Sequence, residues 1–213
     1  RPSLGSEEEE AVLRVMRSGW LTTGKEAAAF EEEFGGAAGF GHALAVNSAT
    51  AGLHLALEGL GIKPGDAVAV PSYTFAASAE VFRYLDADPV FIDIDPGTLT
   101  MDPGALERAT VENPRIAAVI PVHIGGHPCD MESILSICRG KGIPVIEDAA
   151  HCCPGIPDPE KDRTLRGDAR VYSFYATKTM TTGEGGMLVT DRREIADRAS
   201  VMRLHGIDRT VWN

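Results

Sequence analysis

The chain has 213 residues, of which 44% are hydrophobic, and its formal net charge is -11. Such values are typical of a globular protein, and an acidic chain without a basic stripe argues against nucleic acid as a partner. No apolar run is long enough to cross a bilayer, so we expect no membrane partner and a cytoplasmic protein. Four cysteines without CxxC spacing fit reduced thiols in that compartment.

The apolar pattern predicts two N-terminal helices, followed by alternating strands and helices. A Ser6 and Glu9 capping box predicts a first helix that ends near Gly19, and a second is expected over residues 25–34. Strands are expected over residues 42–46, 67–70, 90–94, 116–120, 143–146, 171–174 and 187–189, and helices over residues 50–60, 75–85, 103–109 and 131–139. This alternation predicts an α/β fold with a mostly parallel sheet covered on both faces.

Two stretches depart from the alternation. Residues 154–168 contain three prolines and many charges, which is typical of a long surface loop. Around Lys178 there is little room for a helix between the two flanking strands. A local strand pair or bend is expected there.

Polar residues follow several predicted strands, where open parallel sheets collect their ligands. Ser48, Ala49 and Thr50 open a helix, either as an ordinary cap or as a phosphate site at the helix N terminus. Asp148 ends a buried strand, so its partner is an arginine or a protonated ring nitrogen of a cofactor. Lys178 either binds an anion or acts as a nucleophile. It does not belong to a Walker motif, because in that motif the glycines precede the lysine and here they follow it.

Taken together, these features match the needs of one cofactor. Pyridoxal phosphate requires an amine to form a Schiff base, an acid beside the pyridine nitrogen, a stacking ring and donors for its phosphate. Lys178 and Asp148 supply the first two groups, and Tyr73 or Phe75 could supply the ring. The sequence therefore predicts a pyridoxal 5'-phosphate site.

Long stretches of the chain resemble the DegT/DnrJ/EryC/StrS family of sugar aminotransferases. They are SGWLTTG (18–24), AVNSATAGLHLALEGLGIKPGDAVAVPSYTFAASA (45–79), IPVHIGGHPCDM (120–131), VIEDAAHC (145–152) and GDARVYSFYATKTMTTGEGGMLVTD (167–191). The resemblance runs in order through nearly the whole chain. It implies the large domain of a fold-type I aminotransferase: a three-layer sandwich around a mostly parallel mixed sheet.

The resemblance also implies an activity and an assembly. Family members transfer an amino group from an amino acid, usually glutamate, to a nucleotide-linked keto-sugar, and we expect a homodimer. Residues 1–35 would form an N-terminal helical segment at the dimer contact and the edge of the active site. Residues 36–213 would form the cofactor-binding large domain. We expect this domain to be incomplete, because the family is longer and has a C-terminal small domain.

Site residues carry over from the resemblance by position. Lys178 would be the Schiff-base lysine, and Asp148 the partner of the pyridinium nitrogen. The other cofactor contacts would be Ala49, Thr50 and Ser173 at the phosphate, Phe75 stacked on the ring, and His151 near the ring oxygen. Thr179 stands where the family commonly has asparagine.

Three alternatives compete with an aminotransferase. The chain could bind the cofactor, or only dimerise, without turnover. Some relatives replace the lysine with histidine and are dehydratases, but Lys178 favours transamination. A metal site could use His123, His127, Cys129, His151, Cys152 and Cys153, but their spacing matches no zinc motif, so we expect no metal.

Overall fold

A computed structural model describes residues 2–153 and 164–207 of the chain. The helices of the described residues are α1 (Ser6–Ser18), α2 (Lys25–Ala38), α3 (Ala49–Gly59), α4 (Ala76–Glu80), α5 (Pro103–Glu112), α6 (Met131–Arg139) and α7 (Arg193–Met202). The strands are β1 (His42–Val46), β2 (Ala67–Pro71), β3 (Asp88–Ile92), β4 (Ile116–Val119), β5 (Ile146–Asp148), β6 (Ala169–Ser173) and β7 (Gly186–Thr190). Most of the loop predicted over residues 154–168 lies outside the described residues.

The strands form two hydrogen-bonded groups, ordered β1-β7-β6-β5 and β3-β2-β4. Single parallel bridges, from Val119 to Val145 and from Val122 to Asp148, join the two groups between β4 and β5. Only β7 runs against the other described strands, and it pairs antiparallel with both β1 and β6. The sheet is therefore mixed but mostly parallel, which confirms the predicted α/β fold.

Alternating side chains of the strands pack against helices on opposite faces of the sheet. Val68 and Val70 share a buried cluster with residues of α3 and α7, whereas Ala67 and Ala69 face α5 and α6. Near the other edge, Tyr172 of β6 packs against Phe34 of α2. The result is a sheet between two helical layers, whose loops at the carboxyl ends of the strands are left to form a site.

Several element boundaries differ from those expected. The N-cap of α1 is Gly5, one residue earlier than predicted, so the expected capping box is replaced by a single bond from the Gly5 amide to Glu8 Oε2 at 2.6 Å. The helix expected over residues 75–85 divides into α4 and a 3-10 helix at Val81–Leu85. Strand β5 begins later than expected, since Pro144 has no N–H and the Val145 amide donates to the side chain of Asp168.

Helix α1 buries none of its residues within the chain. Val12, Leu13 and Met16 are exposed on it, as is Trp20 just beyond its end. Across residues 2–153 and 164–207, no helix combines the length and apolar character that a bilayer crossing requires. The apolar face predicted for this helix exists, but the described residues leave it uncovered.

Candidate active site

Loops at the carboxyl ends of several strands enclose a cavity of about 530 Å³. Every site residue predicted from the sequence lines it: Ala49, Thr50, Phe75, Asp148, His151, Ser173 and Lys178. These residues end or follow β1, β2, β5 and β6 and are far apart along the chain. The parallel arrangement of the strands brings them to one edge of the sheet, as the sequence predicted.

The N terminus of α3 forms one wall of this cavity. Ser48 caps the helix, and its hydroxyl accepts from the Ala51 amide at 3.1 Å, while the first helical bond runs from Gly52 N to Ser48 O. Among the described residues, the amides of Ala49 and Thr50 have no protein acceptor. These two donors, at the positive end of an 11-residue helix, suit an anion.

Asp148 is buried at the end of β5 and its carboxylate is held by two donors. The Ser78 hydroxyl donates to Oδ2 at 2.6 Å, and the Ala150 amide donates to Oδ1 at 3.0 Å. Its backbone is held as well, because its amide donates to Pro121 O and its carbonyl accepts from the His123 amide. Neither partner of the side chain is an arginine, so the cofactor interpretation of this carboxylate gains support over a structural ion pair.

Lys178 lies in the turn between β6 and β7, where the sequence predicted a strand pair or bend. Its amide donates to Tyr175 O at 2.9 Å, and the turn closes where the Thr182 amide donates to Phe174 O at 3.0 Å. Partial burial lowers the pKa of Lys178, and the opposing effect of the Asp148 carboxylate is smaller. The neutral fraction of the Lys178 amine is therefore larger than that of a fully solvated lysine.

His151 is also oriented by the backbone around the cavity. Its Nδ1 accepts from the Gly125 amide at 3.0 Å, so Nε2 carries the proton of the neutral ring. Burial lowers the pKa of His151, the positive charge of Lys178 lowers it further, and Asp148 opposes both. The side chain is therefore suited to donate one hydrogen bond from Nε2.

The remaining predicted residues lie at the rim and wall of the cavity. Phe75 is 76% exposed where it precedes α4, and the neighbouring Tyr73 is 52% exposed. Ser173 is buried at the end of β6, and its hydroxyl accepts from the Tyr175 amide at 3.3 Å. Both aromatic rings are therefore open to a ligand.

A buried polar cluster lies beside the site, formed by Glu147, Arg170 and His123. Glu147 accepts from Arg170 Nε at 3.0 Å, from the His123 ring at 2.8 Å and from the Gly167 amide at 2.7 Å. Burial raises the pKa of Glu147, but the bond from His123 and the charge of Arg170 outweigh it and lower the pKa. His123 Nδ1 accepts from the Cys129 amide, so this histidine is fully used inside the protein.

Both ring nitrogens of His123 are hydrogen-bonded within the protein, which bears on the alternative of a metal site. Within the part of the chain that the structure describes, no three His, Cys, Asp or Glu side chains are grouped to hold a metal. The Cys129 thiol donates to Val122 O at 3.2 Å, and burial raises the pKa of the Cys152 thiol to about 12. Neither cysteine is placed to act as a thiolate ligand.

Comparison with known proteins gives the same relatives as the sequence motifs. The sequence model of the DegT/DnrJ/EryC1/StrS aminotransferase family matches residues 2–213. The spore coat polysaccharide biosynthesis protein SpsC of Bacillus subtilis is 47% identical over 214 residues, covering 100% of this chain and 54% of SpsC. The chain therefore spans about half the length of the curated relatives it matches.

Solved structures agree with the fold. DesI, crystallised in the presence of its TDP-sugar product, is 37% identical with a TM-score of 0.85, covering 95% of this chain and 51% of DesI. Spr1654 of Streptococcus pneumoniae in its PLP form is 28% identical with a TM-score of 0.86, covering 96% of this chain and 57% of Spr1654. The described fold is that of the fold-type I aminotransferases.

Proposed function

The chain belongs to the DegT/DnrJ/EryC1/StrS aminotransferase family, and on that premise we propose that it is the cofactor-binding part of a pyridoxal phosphate-dependent sugar aminotransferase. The amino donor is an amino acid, with glutamate as the expected one, and the acceptor is a nucleotide-linked keto-sugar. One observation carries the proposal. Lys178 and Asp148 line a single cavity, one wall of which is the N terminus of a helix whose first two amides have no acceptor among residues 2–153 and 164–207.

The residues of the cavity fit this cofactor. An anion donor pair at α3, a buried carboxylate and a partly desolvated amine are the groups that a phosphorylated pyridine aldehyde requires. When bound, pyridoxal 5'-phosphate supplies a protonated ring that accepts the electron pair released from a broken C–H bond. Spr1654, which has the same fold, is known in a PLP form and a PMP form.

Each residue has a role that follows from its surroundings. The amides of Ala49 and Thr50, with the Ser173 hydroxyl, bind the phosphate. Asp148 accepts a hydrogen bond from the protonated pyridine nitrogen, for which its own two fixed hydrogen bonds orient it. Lys178, as a neutral amine, would bind the cofactor aldehyde covalently with loss of water and, once displaced by the amino donor, would move a proton at the reacting carbon.

Phe75 and His151, the two remaining residues, contact the ring and the ring oxygen of the cofactor. Phe75, exposed at the rim, stacks on the ring, and His151 donates from Nε2 to the ring oxygen. Both residues bind and orient the cofactor and move no proton. They lie on separate loops, after β2 and after β5, and both line the same cavity.

The acceptor and the assembly are proposed from the relatives and from α1. DesI was crystallised with a TDP-sugar product, and SpsC is a polysaccharide biosynthesis protein, which supports a nucleotide-sugar acceptor. The uncovered apolar face of α1, with Met16 and the nearby Trp20 more than half exposed, supports a homodimer in which residues 1–35 form part of the contact. A location in the cytoplasm stays a prediction.

Substitution of Lys178 tests the proposal. Purified protein mixed with pyridoxal 5'-phosphate should gain a visible absorption band, and borohydride should fix the cofactor to Lys178 in a peptide map. Lys178→Ala should lose the band, the labelled peptide and amino transfer from glutamate. Lys141→Ala, which changes an exposed lysine outside the cavity, should keep all three. Amino transfer by Lys178→Ala at the wild-type rate would refute the assignment.

A further inference from the structure

Ser78 contacts the proposed cofactor site through Asp148, and nothing in the sequence motifs assigns it a role. It lies in α4 with 0% of its surface exposed, 70 positions before Asp148 in the chain. Its hydroxyl lies 2.6 Å from Asp148 Oδ2 and 2.8 Å from the Thr74 hydroxyl. A buried serine between a carboxylate and a second hydroxyl forms a short chain of hydrogen bonds.

The direction of that chain follows from counting protons. An ionised carboxylate only accepts, so the single proton of Ser78 must point to Asp148. The Ser78 oxygen is then left to accept, and the Thr74 hydroxyl becomes its donor. Thr74 therefore donates to Ser78, and Ser78 donates to Asp148. Each hydrogen bond of this chain polarises the next.

The bond from Ser78 also fixes how the carboxylate is oriented. Asp148 Oδ1 is held by the Ala150 amide, which belongs to the same loop. Oδ2 is held by Ser78, which belongs to the segment that follows β2. Two donors from separate segments determine both the plane and the rotamer of the carboxylate, which one donor alone would leave able to turn.

We propose that Ser78 is a positioning residue that holds the Asp148 carboxylate, through a bond supported by Thr74, in the orientation needed to accept a hydrogen bond from a protonated pyridine nitrogen. The inference rests on the proposed function. Loss of the Ser78 hydroxyl would remove the donor that reaches Asp148 Oδ2. Asp148 would then accept one bond fewer and would turn within the cavity.

Cofactor affinity, measured as the dissociation constant for pyridoxal 5'-phosphate with purified apoprotein, tests this role. Hydrogen bonds to charged groups are strong enough that Ser78→Ala should raise the dissociation constant by about ten-fold. Thr74→Val, one bond further away, should raise it by about three-fold. Ser72→Ala should leave it unchanged, because Ser72 is exposed and its hydroxyl has no partner among the described residues.

A double-mutant cycle separates positioning from packing. In an Asp148→Asn background the charge is gone, so Ser78→Ala should raise the dissociation constant by less than about three-fold. If Ser78 were only structural, Ser78→Ala would raise the dissociation constant by the same factor in both backgrounds. That result would overturn the positioning role. A dissociation constant for Ser78→Ala within two-fold of the wild type would overturn it as well.

Two further outcomes are decided by the same measurements. If Ser78→Ala fails to fold, the two Thr74 variants decide the outcome. Weaker cofactor binding by Thr74→Val, with wild-type binding by Thr74→Ser, would support the chain of hydrogen bonds. Wild-type cofactor binding by both Thr74 variants would overturn it. Should the wild type fail to bind the cofactor, or Asp148→Asn bind it equally well, the proposed function itself is overturned. Failure of Ser78→Ala alone overturns only the role of Ser78.

Discussion

Replacing Glu147 by glutamine should strongly destabilise the fold without touching the cavity. The side chain is fully buried, as are those of Arg170 and His123, which are 1% and 0% exposed. Its two oxygens accept from two nitrogens of Arg170, from His123 and from the Gly167 amide. Glutamine keeps one acceptor oxygen but presents an NH₂ group where donors already converge.

The size of the effect follows from the burial of the pair. Removing one partner of a buried ion pair costs ~3–5 kcal/mol, because the remaining charge loses its compensation away from water. Glutamine retains one acceptor, so we expect a value of about 3 kcal/mol for Glu147→Gln. For a chain of this length, each kcal/mol lowers the melting temperature by roughly 2–4 °C, which gives a decrease of about 6–12 °C.

Urea unfolding followed by circular dichroism gives the free energy of unfolding of both proteins. The matched control is Asp197→Asn, which breaks the exposed pair of Arg193 and Asp197, whose side chains are 85% and 69% exposed. Exposed pairs contribute little, so this variant should unfold like the wild type. A free energy of unfolding for Glu147→Gln within error of the wild type would refute the stabilising role of the cluster.

Three glycine substitutions and one change of pH have expected outcomes. Gly36→Ala fills open space on α2 and should raise stability by about 0.5–1 kcal/mol, whereas Gly35→Ala should lower it because its Cβ would meet Ala43 Cβ at 3.1 Å. Gly186→Ala should lower both melting temperature and cofactor affinity, since its Cβ would lie 2.7 Å from backbone atoms of the first turn of α3. As pH falls below the ordinary Glu147 pKa of 4.5, wild-type stability should decline more steeply than that of Glu147→Gln, because the lowered pKa stabilises the fold only while the carboxylate is ionised.

Local patterns predicted most of the secondary structure because local chemistry determines it. Strand β1 and helix α6 have the predicted bounds, and Asp102 begins α5 by accepting from the Gly104 amide at 2.8 Å. Helix α7 was missed, although Ile195, Ala196 and Ala199 have helical spacing and are buried on one face. The pairing of β7 with β6 agrees with the local strand pair expected around Lys178, whereas the pairing of β7 with β1 could not be predicted, since partners at least 140 residues apart leave no local signal.

The candidate site was predictable where residue type limits the chemistry, and not where partners meet across the fold. A lysine in a turn of small residues and a carboxylate at a strand end are unusual enough to be noticed, and both line the cavity. Ser78 has no such signal, because a serine within an alanine-rich helix is ordinary. Glu147 was missed for a different reason, because it directly precedes Asp148 and is also a carboxylate at the strand end. Side chains alternate between the two faces of a strand, so Glu147 points to the opposite face from Asp148 and has a structural role.

The order of the strands explains why these residues meet where they do. From β2 the chain adds β3 on one side and β4 on the other, so the loops that follow β2 and β4 diverge and leave a crevice between them. The segments of β4 and β5 are joined by single bridges, one of which pairs Asp148 with Val122. The bond from Ser78, which follows β2, reaches Asp148 across the end of β4, while Glu147 ties the opposite face of β5 to β6 through Arg170. The strand that carries the proposed catalytic carboxylate is thus held by backbone pairing with β6 and, in addition, by side chains on both of its faces.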